Sequence, residues 1–428
     1  MPNESRRVPT TGAQTLMFIA TGLAMLGNYY VYDSIGPVAE LLTRQLGFSD
    51  AQLGSLNAIY SLPNVFLVLV GGVLVDRLGA RLVVFWTTAI CLAGAVLTQL
   101  GAQFPVMVLG RFLFGVGSET LVVAITVALA RWFLGRWFAL FFALNISLSR
   151  LGSYLADRSP SFARSLYEQG WQSALGLATD FAVLSLIGAA VYWYLDQREA
   201  QRGTLAIAPP GERIDWRNLL RFRAAYWYIV GVCVAFYAVI FPFRSTFAIK
   251  YFQQAHGLSL QDAGTINGNV FLAAAFATPL FGLIVDRYGR HALLLVGGSV
   301  LLPLSFLFLG SGGVSLWVST VLLGLSFSLV PAVLWPSVAR HVKGDQLGTA
   351  YGLMTMLQNA GLTLANLIVG YLNDRGNASA THAQGYAAML WFFGLLSLAG
   401  FLFSLLLLRH DRAQPLRAAG AATSPHSP

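Results

Sequence analysis

Residues 71–81 read GGVLVDRLGAR, and residues 281–291 read FGLIVDRYGRH. The order Asp-Arg-x-Gly recurs, with Asp76, Arg77 and Gly79 matched by Asp286, Arg287 and Gly289. Upstream, GFSDAQLGSLNA at 47 returns as GLSLQDAGTING at 257, which pairs Gly54 with Gly264 and Asn57 with Asn267 at the same offset. Further along, SYLADR at 153 is echoed by GYLNDR at 370. Self-similarity at one long, constant offset marks two copies of a structural unit. The seam between them falls on 196–223, a polar stretch with APPGER and arginines at 198, 202, 213, 217, 221 and 223.

The units are apolar. Of 428 residues, 56% are hydrophobic and 11% charged, against about a quarter charged in a soluble domain. A membrane helix needs about 20 apolar residues. Runs of that kind predict twelve spans, near 14–38, 51–75, 82–102, 104–130, 137–157, 172–195, 224–249, 262–285, 291–311, 315–339, 347–373 and 386–408. The first apolar run, Leu16 to Leu26, extends into a full span with no small-residue cleavage site, so no cleavable signal peptide is expected.

The net charge of +9 raises nucleic acid as a partner, and the placement of the charges excludes it. With a cytoplasmic N-terminus, only Arg44, Arg158, Arg164, Lys250 and Arg375 fall at outer ends, and Arg111, Arg150 and Arg244 inside spans. All other Lys and Arg face the cytoplasm. That is the positive-inside bias, with both termini cytoplasmic. The linker arginines are expected at the anionic lipid surface. Cys91 and Cys233 both lie in apolar spans, and histidines fall mostly in loops and termini, so neither a disulfide nor a metal site is expected.

Several blocks resemble a known family: YVYD (30–33), YSLPNV (60–65), GRFLFGVGSETL (110–121), SLSRLGS (147–153), YLDQR (194–198), FPF (241–243), LWPSVA (334–339), DQLGTAYG (345–352) and LQNAG (357–361). They are similar to the lysosomal dipeptide transporter branch of the major facilitator superfamily. The resemblance covers nearly the whole chain, and the GRFLFGVGSE and QLGTAYG blocks are its specific parts. It implies an all-α membrane protein of twelve transmembrane helices in two pseudo-symmetric six-helix bundles. The bundles would be 1–195 and 224–409, with a basic cytoplasmic linker at 196–223 and a disordered tail at 410–428. It further implies passage of dipeptides without a cofactor, by uniport and alternating access, in a monomer. The short N-terminus lacks an acidic dileucine signal, and the basic residues are almost all arginine. Both point to a bacterial inner membrane.

Ionisable residues inside membrane spans are functional candidates by default. Arg150 lies 13 positions past Trp137, where the fifth span enters; Glu119 lies 12 before Arg131, where the fourth leaves. At about 1.5 Å per residue both stand roughly 18–20 Å above the cytoplasmic boundary, near the midplane where transporters place their substrate. A zwitterion needs both signs: a glutamate accepts from an ammonium, and a planar arginine fork holds a carboxylate. In the resembled family the matching glutamate and arginine contact substrate. Two other uses stay open: a structural Glu119–Arg150 ion pair, and proton coupling at Glu119 in a symporter or exporter of drugs or metabolites.

Tyr32, Tyr60 and Tyr237, with Gln358 and Asn359, are further candidates to line the site. Asp33 and Arg244 carry opposite charges at equivalent heights of the first and seventh spans. They read as an outer gate over Tyr29, Tyr32 and Tyr237, and a charge swap is expected to keep more transport than either neutralisation. Asp76, Arg77 and Arg81, with Asp286 and Arg287, read as inner-side gating contacts. Arg111, near the outer end of the fourth span, is expected to snorkel and anchor. No cluster of catalytic groups is visible, so a transporter is favoured over an enzyme or a receptor.

Overall fold

The computed structural model describes residues 9–133, 136–205, 222–343 and 346–422. The first half comprises α1 (Thr11–Asp33), α2 (Ile35–Leu46), α3 (Asp50–Ser61), α4 (Asn64–Leu78), α5 (Ala80–Leu100), α6 (Phe104–Trp132), α7 (Arg136–Phe162), α8 (Arg164–Gln169) and α9 (Trp171–Gln201). The second comprises α10 (Ala224–Pro242), a π-helical turn (Phe243–Phe247), α11 (Ala248–His256), α12 (Leu260–Tyr288), α13 (His291–Ser311), α14 (Leu316–His341), α15 (Leu347–Arg375), a 3₁₀ turn (Ala383–Tyr386) and α16 (Ala387–Ala422).

Among the described residues, eight helices are long and apolar enough to cross a membrane, and Asp50–Leu67 with Val70–Leu78 makes a bent ninth. The remaining expected spans fall on α1 with α2, on α7 and on α12. These carry Asn28, Asp33, Asn145, Arg150, Asp157 and Asn267.

The repeat has a structural cause. Gly47 and Gly257 end α2 and α11 at φ 71° and 66°, left-handed conformations that glycine adopts without strain. Two residues later Ser49 and Ser259 cap α3 and α12 through their hydroxyls, the usual serine service at an N-cap. GFS and GLS thus encode one turn twice.

Within the first half α1 packs on α7 and α9, and α5 on α6; within the second α12 and α13 pack on α14, and α10 on α15 and α16. The halves meet along two seams, α3 on α15 and α7 on α12. Glycine makes these seams close, since small residues let helix backbones approach. A Cβ on Gly54 would stand 2.3 Å from the Asn366 carbonyl, and one on Gly264 would stand 2.2 Å from that of Asp157.

The start of α1 lies beside the end of α6, where Gln14 Nε2 donates to the Trp132 carbonyl at 3.4 Å. The ends of α14 and α16 meet through His341 and Asp411 at 3.0 Å. This is the termini end of the bundles; the α2–α3 and α11–α12 turns lie at the far end.

Four features depart from expectation. The first span breaks at Ser34, three residues before Pro37, and the seventh widens into the π turn directly after Pro242. Helix α9 passes the expected boundary at 195, because Asp196 is buried under Trp132 Nε1 (2.9 Å) and the Tyr192 hydroxyl (3.3 Å). Helix α16 continues to Ala422, through much of the tail expected to be disordered. Of the linker, 206–221, including Arg213, Arg217 and Arg221, lies outside the described residues.

Candidate functional site

The two helix breaks are equivalent in the repeat, since Ser34 and Arg244 share its offset. Each frees backbone carbonyls that need partners, and buried side chains serve them: Arg111 at the first break, Asn57 and Asn267 at the second. Arg111 of α6 donates to the carbonyls of Val31 at 3.1 Å and Tyr32 at 3.2 Å, and to Leu56 at 3.4 Å. It also donates to Asn57 Oδ1 at 2.5 Å. It does not snorkel: at 1% exposure it is a positive cap on the carbonyl end of α1. Asn57 then passes the contact across the seam, donating to Thr246 Oγ1 at 2.7 Å and to the Ser245 carbonyl at 3.2 Å.

Arg244, in the π turn, holds two acids of the other half. Its Nη1 meets Asp33 at 2.7 Å and its Nη2 meets Asp157 at 2.7 Å, with all three side chains buried. The face of its guanidinium lies 3.8 Å from the Phe271 ring centroid. Asn267, the repeat partner of Asn57, donates to the Arg244 carbonyl at 3.0 Å. Asp33 and Arg244 are therefore in contact. Asp157 was absent from the sequence reading, and the SYLADR/GYLNDR echo was the signal for it. The equivalent Asp374 also crosses the seam, accepting from the backbone of Asp50 at 2.8 Å and Ala51 at 2.9 Å.

Below this layer stand Glu119 and Arg150, both half-buried. No ion pair joins them among the described residues, so the structural-pair reading fails for this state. Glu119 accepts from the Tyr60 hydroxyl at 3.4 Å, and that hydroxyl also meets Ser118 Oγ at 3.1 Å. Arg150 stacks rather than pairs: its guanidinium carbon is 4.5 Å from the Phe327 centroid, 5.6 Å from Phe271 and 5.9 Å from Tyr29. Its Nη1 is buried without a hydrogen-bond partner. Cations over ring faces are attracted by the ring quadrupole, and this leaves the N–H edge free for a planar acceptor.

A run of tyrosines spans the two groups. Ring centroids stand 6.4 Å apart for Tyr29–Tyr32 and 4.7 Å for Tyr32–Tyr60. Tyr237 joins the wall through Phe241, 5.7 Å from it and 6.0 Å from Tyr32. Its hydroxyl accepts from Trp335 Nε1 at 3.2 Å. Gln358 is half-buried and its Oε1 accepts from Cys233 at 3.5 Å. Asn359 is buried, and its amide donates back to the Thr355 carbonyl of its own helix at 3.0 Å. That bond takes one of the two amide N–H groups and leaves the other and Oδ1.

The inner-side set is not assembled. Asp76, Arg77 and Arg287 are exposed and Arg81 is half-buried, and none has an ion pair with another described residue. The side chain of Asp286 lies outside those described. All the described hydrogen bonds and ion pairs between the halves cluster at the far end.

A search against known families and structures agrees with this architecture. The Major Facilitator Superfamily profile matches residues 17–264 and 243–427. The chain is 33% identical over 401 residues to the lysosomal dipeptide transporter MFSD1 of Homo sapiens, covering 91% of this chain and 84% of that protein. It is 32% identical over 379 residues to MFSD1 of Danio rerio, covering 86% and 80%. Among solved structures, a bacterial homologue of the human lysosomal transporter Spinster superposes with a TM-score of 0.70 at 15% identity, over 94% of this chain and 98% of that one. Repeat, helix order, seams and relatives converge: the chain is a multi-pass membrane transporter, not an enzyme, and belongs to the Major Facilitator Superfamily.

Proposed function

We propose that this transporter carries dipeptides by alternating access, with Glu119 taking the substrate ammonium and Arg150 its carboxylate. One observation carries the reading. Two opposite charges at matched depth stand apart, each without an ionic partner among the described residues, across a wall of Tyr29, Tyr32 and Tyr60. A ligand with a charge at each end completes both groups, and the aromatic wall accepts varied side chains between them. The relatives named as dipeptide transporters support the substrate class. The contacts of Asp33, Arg244 and Asp157 make the outer gate, and Asp76, Arg77, Arg81, Asp286 and Arg287 close the inner side in the opposite state. With both termini in the cytoplasm of a bacterial inner membrane, the present state opens inward. A uniport cycle needs no cofactor and no proton.

Binding of free, N-acetylated and C-amidated dipeptides to purified variants tests this. Arg150→Ala is expected to lose the penalty for amidation, and Glu119→Gln the penalty for acetylation. Each lost charge-assisted contact is worth about 1.5–3 kcal/mol, or roughly tenfold to over a hundredfold in affinity. An unchanged amide penalty in Arg150→Ala removes the arginine from the site. If Glu119→Gln keeps affinity and exchange but loses accumulation against a gradient, Glu119 is instead a proton site in a symporter or exporter.

A further inference from the structure

Phe271 of α12 is buried at 2% exposure and stands between the two arginines that matter most. Arg244 of the far-end cluster lies 3.8 Å from its centroid and Arg150 of the central site 5.6 Å. No hydrogen bond among the described residues connects those two arginines. They are linked through a helix instead: Arg150 and Asp157, which holds Arg244, lie seven residues apart on α7, two turns along the same face and about 10 Å in rise. Helix α7 therefore carries the central arginine and one acid of the far-end cluster, while α12, across the seam, supplies the ring both arginines share.

We propose that Phe271 couples occupancy of Arg150 to release of the far end. The inference rests on the reading that Arg150 holds a ligand carboxylate. With the site empty, Arg150 faces, across one ring, a cluster in which the two carboxylates of Asp33 and Asp157 outnumber the one guanidinium of Arg244, and it is drawn toward them through a low-dielectric layer. A carboxylate on Arg150 offsets that attraction and so weakens the arrangement with the far end shut. A ligand shifts a conformational equilibrium only through contacts that differ between the states. The ring makes the charge on Arg150 such a contact, because it keeps the guanidinium on the Arg244 side. Without the ring, Arg150 retracts onto Phe327, its nearest ring at 4.5 Å.

Spin labels at Glu168 and His256, both exposed at the far end and in opposite halves, report closure in the otherwise full chain. The native Cys91 and Cys233 are buried and stay unlabelled. A dipeptide with a free carboxylate is expected to shift the distance distribution toward the open form by roughly tenfold in population, and its amide is not. Phe271→Leu is expected to bind the dipeptide within a few-fold of the native affinity, yet to lose that shift and turn over more slowly. Phe271→Tyr, which restores a ring, is expected to keep both, and Phe271→Met replaces Phe271→Leu should the latter not fold. A native ligand-dependent shift in the ringless variant, or loss of the shift in Phe271→Tyr, overturns the coupling. Arg150→Ala separates the two readings: if it binds dipeptide as tightly as the native protein, the site assignment fails; if it loses binding while Phe271→Leu shifts normally, only the coupling fails.

Discussion

Arg111 and Arg244 are buried arginines doing different jobs, and the difference lies in their partners. Arg111 faces neutral carbonyls and an amide, so it fixes backbone where α1 ends. Arg244 faces two carboxylates of the other half, so in the proposed alternating-access cycle its contacts are made and broken with the state of the molecule. Removing one partner of a buried ionic group costs about 3–5 kcal/mol, since the other charge stays buried. Asp157 alters what a charge swap does. In Asp33→Arg with Arg244→Asp, the carboxylate placed at 244 faces Asp157, and the stack on Phe271 is gone. Transport is expected to fall to the level of the single neutralisations, against the simpler expectation from Asp33 and Arg244 alone. Adding Asp157→Asn to the swap should recover part of it. A swap that outperforms both neutralisations in a liposome uptake assay would show that Asp157 contributes nothing. Glu119 and Arg150 were legible in the sequence because a charge in an apolar run stands out. Asp157 was not, since its position near a span end disguised it as a rim residue. Phe271 and Phe327 were invisible for another reason: in a chain with 29 phenylalanines, only folded geometry shows which ones meet a guanidinium.

At the scale of elements, the repeat announced the architecture because the same turn and the same helix-cap chemistry recur at one offset. Proline stands at both breaks, Pro37 three residues past Ser34 and Pro242 directly before the π turn, yet the apolar runs read straight through them, because the freed carbonyls are satisfied from distant helices. Glycine positions read from the repeat acquire a mechanical meaning. Gly54 and Gly264 are where α3 meets the α15 backbone and where α12 meets that of α7. A methyl group at either would lie within 2.3 Å of a carbonyl oxygen, and backbone on both sides leaves little room to relax. Gly54→Ala and Gly264→Ala are therefore expected to part the halves at the far end without unfolding either one. The reporter is Ser245→Cys, at a buried position of the π turn. Its maleimide labelling should rise about tenfold or more in both glycine variants, which corresponds to about 1.4 kcal/mol of overpacking strain. Unchanged labelling, with normal thermal unfolding, would mean that the helices slide to absorb the methyl and the seams are not stops.

Among the described residues of the whole molecule, the polar contacts between the halves lie at the far end, as latches at more than one level. Nearest the far-end surface, Gln254 donates to Glu40 at 2.6 Å. Beneath it Lys250 bonds Asp50 and, at 2.9 Å, Thr43, while Asn373 donates to Asp50 at 2.9 Å. Deepest is Arg244 with Asp33 and Asp157. Lys250 and Arg244 sit six residues, about 9 Å, apart along one span and share no partner, so their variants act through different contacts. This geometry discriminates between two kinds of opening. If the halves rock as rigid bodies, weakening any latch lowers the cost of the same transition and exposes every level together. Lys250→Gln, which touches nothing beside Ser245, is then expected to raise labelling of Ser245→Cys by about tenfold to a hundredfold, the worth of one charge-assisted bond. Labelling of a cysteine placed at Thr43 should rise by the same factor, and Lys250→Gln combined with Asp157→Asn should multiply the two single effects, as independent contacts do. A rise at Thr43 with none at Ser245 would instead mean that the outer turns fray while the deep cluster stays closed, and alternating access would then proceed level by level.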